Sequence, residues 1–268
     1  FVENRSKILV QPQSVPMLQG IPQSAIPSSN IGKVNNRGFE IELNYVQPVT
    51  KDLTMQFRGT FNYNKNKVTY IDEPINPSDY VYRYRQTGFP MNTNWGYKID
   101  YSNGNGFFNT QEELDEYLSH TTYSFGTPGL GDFKYMDLNE DGVVDEKDQV
   151  PLRYTKIPRI TYGFSLGLDY KGIDFTIFFQ GVSKYSHFSG TTQNVYEWTK
   201  EGTYYNYHKR AWTKERYENG EKITYPALHT GDNVNTRAND FFVFDRSFIR
   251  LKNIELGYTL PQRWLRAI

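Results

Sequence analysis

The chain has 268 residues, 30 of them basic and 30 acidic, so its formal net charge is zero. That balance argues against a face built to track phosphates along a strand, and so against nucleic acid as a partner. The absence of cysteine excludes a disulfide-stapled secreted scaffold and any thiolate metal site or nucleophile.

Phe1 to Val10 reads as the end of a strand. It is not a signal peptide, because Glu3, Asn4 and Arg5 stand where an apolar core would sit. Gln11 to Asn30, rich in Pro, Gln and Ser, reads as an exposed loop, and Asn35, Asn36 and Gly38 punctuate the return. Phe39, Ile41, Leu43 and Tyr45 then alternate with Glu40, Glu42 and Asn44, giving a strand whose charged face cannot be left in lipid. After a tight turn at Pro48 to Asp52, Leu53, Met55, Phe57, Phe61 and Tyr63 alternate with Thr54, Gln56, Arg58, Thr60 and Asn62, so the next strand pairs back with the same division of faces.

From Lys67 to Pro158 no comparably regular strand is expected. One helix is, because Thr110 and Glu113 form a capping-box signature ahead of the apolar pair Leu114 and Leu118. The clearest segment follows. Ile160, Tyr162, Phe164, Leu166, Leu168 and Tyr170 point one way and small or polar residues the other; after Lys171-Gly172, Ile173, Phe175, Ile177 and Phe179 resume the apolar face. Two long strands joined by two residues make a hairpin. A second long connection runs from about Ser183 to Arg246. Ser247 to Leu260 changes parity between Leu251 and Ile254, and a bulge near Lys252 and Asn253 would restore the facing.

No apolar run approaches the ~20 residues of a membrane helix, so a membrane role requires β-structure or surface attachment. Long connections (about 11–30, 67–158 and 183–246) alternate with short ones. Transmembrane barrels alternate in this way, with short periplasmic turns and long extracellular loops. With 22 Tyr and 18 Phe, aromatic girdles fit the composition. The expected fold is all-β, part of a large transmembrane antiparallel barrel. A soluble carbohydrate-binding β-sandwich is the alternative.

The stretches Asn30 to Leu43, Gly131 to Asp148, Ile160 to Val182 and Ser247 to Pro261 together resemble the C-terminal part of the barrel in SusC/RagA-type, TonB-dependent outer-membrane transporters of Bacteroidetes. The resemblance spans most of residues 1–268 and implies a non-enzymatic importer in the outer membrane of a Gram-negative bacterium. It also implies a barrel set in outer-membrane lipid and closed by a plug that this chain lacks, driven by TonB. A SusD-like surface lipoprotein would cap it, in a dimer of transporter–lipoprotein pairs. The implied ligand is an oligosaccharide, or a peptide. A passive porin or surface adhesin would share the wall and lack the plug and the TonB-contacting segment.

The most specific local motif is acidic. Asp137, Asn139, Asp141, Asp145 and Asp148 occupy positions one, three, five, nine and twelve of a calcium loop, with Gly142 at six and the Val143 carbonyl at seven. Asp148 departs from the bidentate Glu of an EF-hand, so the alternative is an Asx-rich turn bonded to its own backbone. Trp95, Tyr97, Trp198, Tyr205 and Trp212 are candidate ligand-stacking aromatics, against packing of the loops on one another. His120, His187, His208 and His229 form no metal-ligand spacing and are expected at the surface. Glu40, Glu42, Arg58, Asp169 and Asp174 should face the barrel lumen.

Overall fold

The computed structural model describes residues 1–12, 20, 22–73, 85–189, 204–229 and 233–261. The alternating segments form one antiparallel sheet of six strands. These are β1 (Val2–Val10), β2 (Ser29–Pro48), β3 (Leu53–Tyr70), β8 (Ile160–Tyr170), β9 (Ile173–Ser183) and β12 (Phe248–Tyr258), paired in that order. The numbers between belong to six strands of two or three residues: β4 (Trp95–Gly96), β5 (Thr122–Tyr123), β6 (Val143–Val144), β7 (Val150–Pro151), β10 (Ser186–Phe188) and β11 (Val243–Asp245).

Register carries the alternation from strand to strand. Tyr45 lies opposite Phe57, which lies opposite Leu166, then Ile177, then Ile254. One row lower in chain parity, Asn44, Arg58 and Ser165 form the matching polar row. The result is one apolar face across five strands and one polar face interrupted at Phe178, opposite Ser165, and a one-residue slip anywhere would invert them. At Leu251 the β12 ladder shifts: Leu251 pairs with Phe179 and Asn253 with Phe178, leaving Lys252 as the extra residue. This is the expected bulge, and it puts Ile254, Leu256 and Tyr258 back on the apolar face.

The apolar face is uncovered. Leu166, Leu168, Ile173 and Ile254 are exposed, and Leu256 keeps 75% of its surface. A sandwich would pack a second sheet there. The eleven residues of β8 rise ~33 Å, or ~25 Å at a 40° tilt, the height of a lipid-facing band.

β2 and β3 are longer than a membrane requires, at 20 and 18 residues against ~9–11 for a crossing. The surplus is at one end. Ser29 to Arg37 and Asn64 to Tyr70 extend beyond the band, so Asn35, Asn36 and Gly38 lie within a strand and do not mark a return from a loop. Pairing on both sides, with β1 at Asn4↔Asn35 and β3 at Asn36↔Asn66, overrides the weak strand preference of Asn. The opposite end carries the short turns. Lys171 and Gly172 both have positive φ (48° and 86°), as a two-residue type I′ hairpin turn requires.

The long connections are not loose. The described residues of 85–159 and 184–247 share a core of Tyr97, Ile99, Phe107, Phe108, Phe133 and Tyr135 from the first and Trp212, Tyr225, Val234 and Phe242 from the second. Phe108, Phe133, Tyr135 and Phe242 are fully buried, each contributing about 1.5–3 kcal/mol of transfer free energy. Backbone bonds stitch the two segments, Tyr97 N to Ala238 O at 2.8 Å and Ala227 N to Gly131 O at 2.8 Å. Gly131 has φ 82°, and a Cβ there would overlap the Trp212 ring. Helix α1 (Gln111–Leu118) lies against this core through Leu114 and Tyr117, and α2 (Lys214–Glu218) lies at its margin. Thr110 caps α1 by accepting from Glu113 N, while the Glu113 carboxylate accepts from Asn109 N, one residue earlier than a capping box.

Candidate functional site

The body built on the core shared by the two long connections carries two polar centres. In the first, the 137–148 loop, Gly142 adopts φ 82° and donates its N–H to Asp137 Oδ2 at 2.8 Å. Asp137 Oδ1 is then left buried with no hydrogen-bond partner. Asn139 and Asp141 make Asx turns, Asp141 N to Asn139 Oδ1 at 3.3 Å and Val143 N to Asp141 Oδ1 at 3.0 Å. Asp148, fully buried, accepts from Leu138 N at 2.7 Å, Asn139 N at 3.4 Å and Asp145 N at 2.8 Å. Burial still pushes its carboxyl above the usual range. The Lys147 ammonium lies 3.0 Å from Asp141 and 3.7 Å from Asp145, and its hydrogen bond holds Asp141 below the usual carboxylate range.

The sequence therefore brings these oxygens into one loop, but among the described residues no three acidic or histidine side chains converge as a metal-ligand group. Asp148 organises the loop by gathering N–H donors, a role its short arm suits. The loop opens on a cleft of about 820 Å³ lined by Asp100, Glu113, Glu116, Asp137 and Asp141. Lys134 bridges Asp100 at 3.2 Å and Glu113 at 3.4 Å on its wall.

The second centre has no counterpart in sequence spacing. Asp132, 3% exposed, receives Asn235 Nδ2 at 2.8 Å on Oδ1 and Gly129 N at 2.8 Å on Oδ2, with His229 Nε2 2.5 Å from Oδ1. The bond to Asp132 raises the His229 pKa. His229 and Asp132 are 97 residues apart, so only the fold joins them. His208 is also not at the surface: it is buried, and its Nδ1 accepts from Tyr205 N at 3.0 Å.

The five candidate aromatics separate. Tyr97 is core, with its hydroxyl accepting from Gln149 Nε2 at 3.1 Å and its ring against Tyr135. Trp212 is core too, donating Nε1 to Asn109 Oδ1 at 3.1 Å. Both are corrected from ligand candidates to packing residues, since burial leaves them no free face. Trp95 is half-buried, edge-on to Phe89 at 4.9 Å. Tyr205 is exposed and lies parallel to Tyr207, ring centroids 5.5 Å apart. Trp198 lies outside the described residues.

On the sheet, Glu40, Glu42, Arg58, Asp169 and Asp174 share the polar face. Arg58 pairs with Glu42 at 2.9 Å and Gln56 donates to Asp169 at 2.9 Å. A wall with charge on one side and exposed apolar residues on the other is the division that a barrel lumen and a bilayer impose.

No protein-family model matches the chain. It is 28% identical over 246 residues to TonB-dependent receptor P26 of Formosa agariphila, covering 87% of this chain and 23% of that protein. It is 25% identical over 257 residues to TonB-dependent receptor SusC of Bacteroides thetaiotaomicron, covering 94% and 23%. Along most of its length the chain is similar to SusC/RagA-type TonB-dependent receptors. Its fold agrees: the solved RagAB peptide transporter superposes with a TM-score of 0.65 at 19% identity, over 98% of this chain and 26% of that one. The chain spans about a quarter of the length of the curated relatives it matches. The six-stranded sheet is a stretch of barrel wall, and the described residues of 85–159 and 184–247 form a body at one end of it.

Proposed function

We propose that this chain supplies barrel wall and outer ligand-facing structure to a TonB-dependent importer in the outer membrane of a Gram-negative bacterium. The observation that carries the reading is the in-register apolar face opposite a charged one, with the long connections gathered at one end. The receptor works with a SusD-like surface lipoprotein, as a dimer of receptor–lipoprotein pairs, and takes energy from TonB through parts outside this stretch. The cargo is an oligosaccharide, and the exposed, parallel Tyr205 and Tyr207 support this because flat aromatics stack on sugar rings. A peptide cargo is the second reading, favoured by the likeness to a structure described as a peptide transporter.

Uptake of labelled oligosaccharide and labelled peptide by cells carrying the whole receptor tests this. One cargo should enter in TonB-containing cells and neither in cells without TonB. Entry without TonB would make the receptor a porin, and surface binding without entry an adhesin.

We infer further that calcium stiffens the 137–148 loop, held by Asp137, Asn139, Asp141, the Val143 carbonyl, Asp145 and Asp148 and displacing the Lys147 ammonium. The buried, unpartnered Asp137 Oδ1 supports this, as does the loop spacing. Calorimetric titration of the whole receptor should give calcium heat that Asp137→Ala and Asp141→Ala abolish; equal heats in all three would refute it.

A further inference from the structure

Cations on the lipid-facing side of the wall are unevenly placed. At the end with the short turns Lys171 lies 3.7 Å from Asp52. At the other end a shallow pocket of about 480 Å³ is lined by Asn4, Asn35, Arg37, Lys65, Lys67 and Thr69, with no acidic side chain among them. Cross-strand register makes the cluster: Arg37 lies opposite Lys65, and Asn35 lies opposite both Lys67 and Asn4.

The side of the sheet matters most. Arg37 is two residues from Phe39 and Lys65 two residues from Tyr63, so by strand alternation all four share the apolar face. Phe39 and Tyr63 stack at 5.6 Å and form the top of the lipid-facing band. The cations begin one row above them, about 7 Å away. Lys184 reaches the same level, its Nζ 5.9 Å from the Tyr63 ring centroid. On the opposite face β2 and β3 carry Asn36, Asn64, Asn66 and Val68, and the charges of β1 there, Arg5 and Glu3, pair with each other at 2.7 Å; this face packs inward, Met91 N bonding Asn66 Oδ1 and Val68 N bonding Phe89 O. Arg37, Lys65 and Lys67 are all exposed. On β2 and β3 the unpaired cations of the extension thus lie on the side that continues the lipid-facing band, with the amides Asn4 and Asn35 between them.

We propose that Arg37, Lys65 and Lys67 form a docking site for a phosphorylated lipid headgroup of the outer leaflet, its acyl chains lying along Phe39, Ile41, Phe61 and Tyr63. The inference rests on the membrane reading of the wall. Guanidinium and ammonium groups match phosphate oxygens, and the aromatic row below sets the depth at which a headgroup meets them.

The test is native mass spectrometry of the whole receptor from nanodiscs of phosphatidylcholine doped with lipid A or with its dephosphorylated form. Wild type should retain phosphorylated lipid A, and Arg37→Gln/Lys65→Gln/Lys67→Gln should lose roughly tenfold or more of it. Lys51→Gln/Lys171→Gln, at the other end of the wall, should retain it as wild type does, which separates the site from general charge and from misfolding. Equal retention by the triple variant, or equal retention of lipid with and without phosphate, overturns the proposal. Binding of inorganic phosphate as tight as that of the lipid would overturn it too, by removing any role for the apolar wall. Loss of the whole wall reading would show separately, as failure of the receptor to enter nanodiscs at all.

Discussion

His229 and Asp132 hold the outer unit by a bond whose strength depends on pH. Folding raises the His229 pKa above its ordinary value, so the folded state binds the proton more tightly than the unfolded one. The stabilisation is complete below the ordinary value near 6.5 and is lost as pH rises through the raised one. Amide exchange in residues 129–133 and 225–229 should therefore be slower at pH 5.5 than at pH 8.5, after correction for intrinsic rates. Asp132→Asn should erase the difference; a pH effect that survives it would refute the assignment. Trp212 is the matching apolar case. Trp212→Ala removes a buried ring and the Asn109 bond, and should cost the outer unit about 3–5 kcal/mol. Differential scanning fluorimetry and exchange across 97–144 should both register it, with the wall unaffected. Neither residue's role was legible in the sequence: Trp212 and Tyr97 looked like loop aromatics because their partners lie far along the chain, at Asn109 and Gln149.

Among the elements, those governed by local pattern were the legible ones. β8 and β9 follow from a period of two and a Lys-Gly turn, α1 from Thr110 and the pair Leu114 and Leu118, and the β12 bulge from one change of parity. The outer halves of β2 and β3 were not, since Asn-rich segments read as turns until partners on either side supply the ladder. The bulge makes the sharpest prediction. Deleting Lys252 together with Asn253 should move Ile254, Leu256 and Tyr258 to the lumen side and Glu255 to lipid, and so abolish assembly. Deleting Lys252 alone removes only the extra residue, keeps Ile254 opposite Ile177 and should still allow assembly. Heat-modifiable migration of the receptor in detergent gels distinguishes the two, and normal assembly of the double deletion would show that the register is not set there.

At the scale of the molecule, the chain divides the work between a wall with little buried apolar surface and an outer unit with a dense core. Solvent explains the division. A wall that uses lipid as its apolar partner needs no second layer, whereas segments standing in water must bury their Tyr, Phe and Trp against one another. That is why so polar a sequence carries so many aromatics, and why 85–159 and 184–247 fold as one body on top of the strands.

A barrel wall requires that one face of this sheet meet lipid and the other meet water. Single cysteines placed in turn at Ser165, Leu166, Gly167 and Leu168 of the whole receptor in native membranes, probed with a lipid-phase and a water-soluble thiol reagent, test it directly. Leu166→Cys and Leu168→Cys should react only from the lipid phase, and Ser165→Cys and Gly167→Cys only with the water-soluble reagent. Protection of Leu166→Cys and Leu168→Cys from both reagents would place them in a closed protein core and contradict the barrel wall.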